Sequence, residues 1–223
     1  MITVHHLNNS RSQRVLWLLE ELELPYEIKR YQRDPKTMHA PASLRAVHPL
    51  GKSPVVTDDD RVIAESGAIL EYLVGRYGEG RLQPLPDTDA ALACRYWLHY
   101  AEGSLMPLLV MKLVFSQLTK GPVPFFVKPV AKALVAGLDR AFLGPQLTTH
   151  LGFIEGELAK HSWFAGDAFT IADIQMSYAL EAATARGGLD DRYPRAAGVL
   201  ARMRARPAYE RALQKGGPVT VAS

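Results

Sequence analysis

The first 80 residues contain two kinds of hydrophobic pattern. Segments 2–7 and 26–31 are rich in β-forming residues and predict two short strands. Between them, apolar residues recur at the i, i+3, i+4, i+7 spacing of an amphipathic helix, at Val15, Leu18, Leu19 and Leu22. Pro25 ends that helix. Strand, helix and strand in this order predict a parallel pair of strands joined by a right-handed crossover.

A second unit follows a polar, irregular stretch that holds at most a short helix near Ser43. Two short strands, predicted at 54–57 and 61–64, flank the aspartate-rich turn at 58–60 and indicate a hairpin. A helix is predicted next, from Ser66 to Tyr77. The order β-α-β, then β-β-α, matches the thioredoxin-like α/β sandwich.

Strand signals nearly vanish after a Gly- and Pro-rich segment. We therefore expect an α/β domain at 1–80, a linker at 81–88 and an all-helical domain at 89–223. The pattern predicts one long helix at 90–118, then helices at 125–143 and 147–160 with a break at Gly144-Pro145. Further helices are predicted from Thr170 and within 193–213, the latter divided near Pro207.

The helix that opens at Thr170 has a complete start signal. Thr170 and Asp173 form the [ST]-x-x-[DE] pattern of a capping box, and Phe169 and Ile174 have the spacing of a hydrophobic staple. This is a folding signal rather than a site. Loss of Asp173 is expected to cost on the order of 1 kcal/mol or more.

Composition narrows the class of protein. Of 223 residues, 48% are hydrophobic and 22% charged, which is typical of a globular domain. The formal net charge of +3 is too small to indicate nucleic-acid binding. No apolar run is long enough for a membrane span and no signal peptide is apparent, so we expect a cytoplasmic protein. Cys94, the single cysteine, excludes an internal disulfide and lies in a predicted helix, where packing is its expected role.

Pro54 stands at the mouth of a predicted strand, where it cannot donate a ladder hydrogen bond. It is either an ordinary edge-strand proline or the second residue of a cis Ser53-Pro54 bond in a tight turn. In the second case, the backbone of Ser53 is free to pair with a bound peptide.

Three motifs carry a resemblance to a known family. They are HPLGKSP at 48–54, ESGAI at 65–69 and FAGDAFTIADI at 164–174. In this order and spacing they resemble the soluble glutathione transferases, within which the chain looks most like a serine-type branch with bacterial and fungal members. The resemblance covers nearly the whole chain. It implies glutathione as co-substrate, a hydrophobic electrophile as second substrate, a homodimer and no metal.

The resemblance implies that a residue near the start of the first helix stabilises the thiolate of glutathione. A thiol of pKa about 8.5 is mostly protonated at neutral pH, and the thiolate is the nucleophile. Ser10 stands at the offset of the catalytic serine, although a role as helix N-cap alone would also explain it. Asn9 and Ser12 are its rivals, but a hydroxyl at Ser12 would tend to turn back to the backbone. Arg11 either raises the local positive potential or is a surface arginine.

The same resemblance implies which residues contact the other parts of glutathione. Glu65 pairs with the γ-glutamyl ammonium, and Ser66 at a helix start suits the neighbouring carboxylate. The resemblance favours the cis form of the Ser53-Pro54 bond, in which the backbone of Ser53 pairs with the cysteinyl part in the manner of strand addition, so the Ser53 side chain should matter little. Lys52 or His39 meets the glycine carboxylate, though a loop histidine is often merely exposed.

The second substrate is expected between the domains. Candidate walls, which could equally be core residues, are Tyr100, Ser104, Met106, Pro107, Phe115, Phe125 and Phe126. Fold does not decide the reaction, so an isomerase, dehalogenase, peroxidase or non-catalytic glutathione-binding stress protein remain alternatives. A thiol–disulfide oxidoreductase would require a cysteine near position 10, and none is there.

Overall fold

A computed structural model describes residues 1–8, 10–37, 39–120 and 124–219. Its sheet has four strands in the order β2-β1-β3-β4. The strands are β1 (Ile2–Leu7), β2 (Tyr26–Tyr31), β3 (Val55–Asp58) and β4 (Arg61–Ala64). Strand β1 pairs in parallel with β2 and antiparallel with β3, which in turn forms a hairpin with β4. The predicted β-α-β and β-β-α units of a thioredoxin-like domain are therefore confirmed.

Three helices complete this part of the molecule: α1 (Gln13–Glu21), α2 (Ala42–Arg45) and α3 (Ser66–Tyr77). Helices α1 and α3 pack against each other and the sheet, with fully buried side chains such as Leu18 and Leu70. Leu44 of α2 packs with Leu7 and Tyr31 in a separate small cluster. The sheet thus lies between helices, as the sandwich prediction requires.

The bond between Ser53 and Pro54 is cis, as predicted. Strand β3 begins one residue later, at Val55. The pair formed by Val55 and His5 is the end of the ladder between β3 and β1. Ser53 consequently lies outside the ladder, and its backbone is not used by the sheet.

The remainder of the described chain is helical. The helices are α4 (Asp89–Tyr100), α5 (Met106–Lys120), α6 (Lys128–Leu138), α7 (Gly144–Glu157), α8 (Ile171–Ala182), α9 (Pro194–Arg204) and α10 (Pro207–Gly216). A π-helical turn at Ala101–Leu105 joins α4 to α5, so the long helix predicted there is continuous and contains one π-helical turn. Gly121 and Pro122, predicted to break it, lie outside the described residues.

The predicted break at Gly144-Pro145 is wrong. A second π-helical turn, Asp139–Leu143, leads from α6 directly into α7. Proline in a helix lacks an N–H and clashes with the preceding turn. Here the wider π-helical turn ends just before Pro145, which lies in the first turn of α7. The helix therefore continues from α6 into α7 without a break.

The last helix returns to the first domain. Arg211 and Lys215 of α10 form ion pairs with Glu20 of α1, and Arg206 pairs with Glu21. These side chains join two elements that lie far apart in the sequence. Helix α10 therefore covers α1 and brings the end of the described chain close to β1.

Candidate functional site

One cavity of about 410 Å³ contains every described residue of the predicted site. Its walls include Ser10, Arg11, His39, Lys52, Ser53, Pro54, Glu65 and Ser66. Asn9, the remaining predicted residue, lies outside the described part of the chain. The cavity is formed where β1 ends, α1 and α3 begin and the turn before β3 approaches, so four separate segments contribute to it.

The cavity carries mostly positive charge. Its lining includes Arg11, Arg33, Arg45 and Lys52, against the carboxylates of Glu65 and Glu102. Gly51 has φ 57°, and a Cβ there would lie 2.6 Å from Cγ of Arg45. This glycine therefore allows the backbone of the turn to pass close to the arginine stem. The arrangement suits a ligand with several anionic groups and one cationic end.

Helix α3 opens into this cavity without a side-chain cap. Glu65, its N-cap residue, makes no capping hydrogen bond and has φ 71° and ψ 125°. Ser66 is 5% exposed. The first N–H groups of a helix have no partner inside the helix, and they favour an anion. Glu65 is exposed at this helix start, and its side chain does not cap these donors.

Ser10 belongs to a cluster of hydroxyl groups. Its Oγ lies 2.7 Å from Oγ of Ser12 and donates to Oγ of Ser53 at 3.2 Å. The Ser53 hydroxyl donates in turn to the carbonyl of His5 at 2.9 Å. Ser10 itself is 9% exposed, so its hydroxyl reaches the cavity from a mostly buried position.

Two expectations about these serines are wrong. Ser12, rather than Ser10, is the N-cap residue of α1, and its hydroxyl does not turn back to the helix backbone. Its φ of −64° and ψ of −18° are already helical, so the side chain points to Ser10 and to Nδ1 of His6, 2.9 Å away. The Ser53 side chain, which is expected to matter little for binding, bonds Ser10, the His5 carbonyl and the Leu7 N–H.

Arg11 is not a free surface arginine. Its Nε donates to Glu102 at 3.1 Å, and Arg14, only 2% exposed, donates to the same carboxylate. Burial acts to raise the pKa of Glu102, but Arg14 and Arg11 lower the pKa overall and keep the carboxylate charged. Arg14 also donates to the carbonyl of Gln175 in α8, so this network joins the start of α1 to the helical domain.

The predicted walls of an electrophile site do not line this cavity. Tyr100 and Met106 are core residues, 6% and 2% exposed, whereas Phe125 and Phe126 are 84% and 69% exposed. The helical domain contributes Glu102 and Tyr178 instead. No local motif marks these two residues, because they reach the cavity only through the packing of α8 and the π-helical turn against α1.

Cys94 is 4% exposed, and its Sγ lies 3.9 Å from Oγ1 of Thr170. Burial raises the pKa of its thiol, which suits the packing role expected from the sequence. Within residues 1–8, 10–37, 39–120 and 124–219, no group of three or more His, Cys, Asp or Glu could hold a metal ion. No helix in these ranges is long and apolar enough to cross a membrane.

The fold and the cavity together define a thioredoxin-like domain that carries a polar, mainly cationic peptide-sized site against a helical domain. Two family models match the chain: the glutathione S-transferase N-terminal domain over residues 10–75 and the C-terminal domain over residues 140–202. Glutathione S-transferase 3 of Schizosaccharomyces pombe is 40% identical over 183 residues, 82% of this chain and 74% of the relative. Glutathione S-transferase 1 of Saccharomyces cerevisiae is 35% identical and covers 83% of this chain and 82% of its own length.

Solved structures agree with these relatives. A glutathione S-transferase of Actinobacillus pleuropneumoniae is 34% identical with a TM-score of 0.74, over 97% of this chain and 93% of that chain. A glutathione transferase of Phanerochaete chrysosporium, solved with oxidised glutathione, is 25% identical with a TM-score of 0.77, over 98% and 97%. The chain belongs to the glutathione S-transferase family.

Proposed function

We propose that this protein activates glutathione as a thiolate and conjugates it to a hydrophobic electrophile, with Ser10 as the hydroxyl that donates to the sulfur. The observation that carries the proposal is the position of Ser10 on the wall that also holds Ser53 and the open start of α3. A hydroxyl donor favours the ionised sulfur because hydrogen bonds to an ion are stronger than those between neutral groups.

The cavity offers a separate partner for each end of glutathione. The exposed carboxylate of Glu65 suits the γ-glutamyl ammonium, and the free N–H groups of α3 at Ser66 suit the adjacent carboxylate. Ser53 lies outside the β-ladder, which leaves its backbone to pair with the cysteinyl residue. Lys52 and His39, both exposed on the cavity wall, are the candidates for the glycine carboxylate.

Binding to immobilised glutathione, followed by conjugation to a chlorinated nitrobenzene, tests the function. In Ser10→Ala we expect kcat/KM to fall roughly 10- to 100-fold, since a hydrogen bond to a charged group is worth about 1.5–3 kcal/mol. Ser43→Ala, an exposed serine of α2, is the matched control and should conjugate at the wild-type rate. Failure of the wild-type protein to bind glutathione would contradict the proposal entirely.

A second candidate is glutathione-dependent reduction of a disulfide. Disulfide-bond oxidoreductase YfcG of Escherichia coli is 26% identical over 96% of this chain and 95% of its own length. This chain has no cysteine but Cys94, which is buried in the helical domain. Glutathione would therefore have to supply every reacting thiol. Disulfide reduction with glutathione, in the absence of any conjugation activity, would favour this candidate over the first.

We also propose a homodimer in the cytoplasm, as is usual for the family. Sedimentation of the purified protein decides the first point, because a monomer and a dimer of a 24.6 kDa chain separate clearly. Isomerase, dehalogenase and peroxidase activities need a panel of substrates. A purely glutathione-binding role would leave the protein able to bind but unable to accelerate any of these reactions.

A further inference from the structure

The hydroxyl of Ser53 makes three hydrogen bonds, which is as many as one hydroxyl can form. It donates its proton to the His5 carbonyl at 2.9 Å. Its oxygen accepts from the Leu7 N–H at 3.4 Å and from the Ser10 hydroxyl at 3.2 Å. Because the only proton of the Ser53 hydroxyl is already given to His5, the bond between the two serines is donated by Ser10.

The other hydrogen bonds of the Ser10 hydroxyl are consequently accepted. The Ser10 proton is given to Ser53, so Ser12 donates across the 2.7 Å between the oxygens of Ser10 and Ser12. The backbone N–H of Ser12 also donates to Oγ of Ser10, at 3.3 Å. Oγ of Ser12 in turn accepts from Nδ1 of His6 at 2.9 Å. Both lone pairs of Ser10 are therefore occupied, and its single proton is what it can offer to a ligand.

Bound glutathione and Ser53 compete for that proton. A neutral thiol is a weak acceptor, so the Ser10 proton stays on Ser53 while the sulfur is protonated. A thiolate is a better acceptor, because hydrogen bonds to an ion are stronger than those between neutral groups. The Ser10 proton therefore turns from Ser53 to the sulfur as the thiol ionises, and the 3.2 Å bond between the serines is lost in the same step.

We propose that Ser53 is a positioning residue whose hydroxyl opposes the ionisation of bound glutathione by competing with the sulfur for the Ser10 proton. This rests on the function proposed above for Ser10. On ionisation the S–H bond breaks and its proton passes to solvent water. The Ser10 O–H leaves the Ser53 oxygen and donates to the thiolate, while Ser53 keeps its bonds to the His5 carbonyl and the Leu7 N–H.

The competition limits how acidic the bound thiol becomes. Donation from Ser10 stabilises the thiolate, and loss of the bond to Ser53 offsets part of that gain. A thiol whose pKa lies near the ambient pH is about half ionised and strongly nucleophilic, whereas a much lower pKa makes the thiolate a weaker nucleophile. Ser53 thus moderates the acidity that Ser10 confers on glutathione, without contacting the sulfur itself.

The direction of the effect separates this role from direct donation by Ser53 to the sulfur. A Ser53 hydroxyl that left the His5 carbonyl and donated to the thiolate would lower the pKa of the thiol. A Ser53 hydroxyl that accepts from Ser10 raises that pKa. The shorter bond to the carbonyl, 2.9 Å against 3.2 Å to Ser10, favours the second role, because it holds the Ser53 proton away from the cavity.

Ser53→Thr and Ser53→Val form the matched pair that tests the competition, since threonine and valine have nearly the same shape and only threonine carries a hydroxyl. The ultraviolet absorbance of the bound thiolate, titrated against pH, gives the pKa of glutathione in each variant. We expect that pKa in Ser53→Val to lie about 0.4–1 unit below that in Ser53→Thr, the size of one lost hydrogen bond between neutral groups. Ser53→Thr should titrate within about 0.3 unit of wild type.

The charged side chains of the cavity, including Arg11, Lys52, Glu65 and Glu102, are the same in all these variants, so a difference in thiol pKa reports the hydroxyl at position 53. Equal pKa values in the two variants would overturn the competition. A higher pKa in Ser53→Val than in Ser53→Thr would also overturn it and would assign direct donation to Ser53.

The same pair in a Ser10→Ala background shows whether Ser53 acts through Ser10. Without the Ser10 proton there is nothing to compete for, so the two variants should titrate alike, and a difference that persists would overturn the proposal. Ser10→Ala alone tests the proposed function: an unchanged thiol pKa would mean that Ser10 does not donate to the sulfur. A raised pKa in Ser10→Ala, without a difference between the Ser53 variants, leaves that function standing and overturns only the competition.

Two controls exclude a general disturbance of the site. Affinity for S-methylglutathione, which has no thiol proton, should stay within about twofold of wild type in both Ser53 variants. Thr57→Val removes another hydroxyl, bonded to the His5 imidazole at 3.3 Å, and should leave the thiol pKa unchanged. An equal fall in Thr57→Val would overturn the proposal. Ser53→Ala also lacks the hydroxyl, is smaller, and should lower the thiol pKa in the same direction if valine prevents folding.

Discussion

Two helices of this protein begin in opposite ways. At the start of α8, Asp173 accepts from the Thr170 N–H at 2.8 Å and from the Phe164 N–H at 2.9 Å, while the Thr170 hydroxyl accepts from the Ala172 N–H at 3.2 Å. At the start of α3, Glu65 makes no side-chain cap, and its φ is 71°. The first helix start satisfies its own donors, and the second leaves them facing a cavity.

The difference shows how a folding signal can be told from a binding site. A capped, buried helix start stabilises the fold and has no donors left for a ligand. An uncapped start with a strained backbone angle costs stability, and it persists because the surrounding structure holds it. We therefore expect substitutions at α8 to change stability and substitutions at α3 to change glutathione binding.

The largest expected effect is at Asp173. Asp173→Ala removes the cap and leaves buried N–H groups of Thr170 and Phe164 without a partner, so stability should fall by about 2–4 kcal/mol. Urea denaturation measures the loss. Asp167→Ala, an exposed acid in the same loop, should change stability by less than about 0.5 kcal/mol. Similar losses in both variants would contradict the contrast between the two helix starts.

The next effect concerns the open start of α3. Glu65→Gln should weaken glutathione binding by about 1.5–3 kcal/mol, or roughly 10- to 100-fold, because a hydrogen bond to the ammonium loses its charge. Calorimetric titration with glutathione gives the affinity. Glu71→Gln, an exposed glutamate further along α3, is the control. A dissociation constant within twofold of wild type for Glu65→Gln would show that this carboxylate does not contact the ligand.

The contribution of Asp173 to the free energy of unfolding should also depend on pH. Burial raises the pKa of Asp173 to about 6, against the hydrogen bonds from Phe164 and Thr170 that lower it. In the unfolded chain the pKa of an aspartate is near 3.9, so between about pH 4 and 6 the folded protein binds a proton at Asp173 that the unfolded chain does not. This proton binding stabilises the folded state at low pH, and the stabilisation is lost as pH rises through 6. The stability of the wild type relative to Asp173→Asn should therefore increase by about 1 kcal/mol from pH 7 to pH 5. Other titrating groups cancel in the difference, and a difference that stays constant would contradict this pKa.

The smallest expected effect tests whether the positive φ of Glu65 strains the backbone. Glu65→Gly should raise stability by roughly 0.5–1 kcal/mol, because glycine accepts a positive φ but loses more entropy on folding. It should weaken glutathione binding at the same time. Thermal unfolding and calorimetry measure the two quantities. Glu79→Gly, with φ 52° and an exposed side chain, should give a similar stability gain without affecting binding. A loss of stability at Glu65 would mean that its backbone is not strained.

Short-range features of the fold were predictable from the sequence. Strand and helix positions in the first domain depend on apolar periodicity, and the α8 capping box depends on residues only three positions apart. The break predicted at Gly144-Pro145 is wrong because proline usually interrupts a helix, whereas here a π-helical turn accommodates it. That outcome depends on the packing of the helices around it, which periodicity does not describe.

By itself, the sequence determined the two-part architecture, the cis-proline turn and the motif residues that line the cavity, because each is encoded within a short stretch of chain. Only the tertiary structure decided that Ser12 bonds His6, that the Ser53 side chain bonds Ser10, and that Arg211 and Lys215 of α10 pair with Glu20 of α1. These contacts join β1, α1, the turn before β3 and the end of α10. Their residues are far apart in the chain, so only the packing of those elements brings their polar groups within hydrogen-bonding distance.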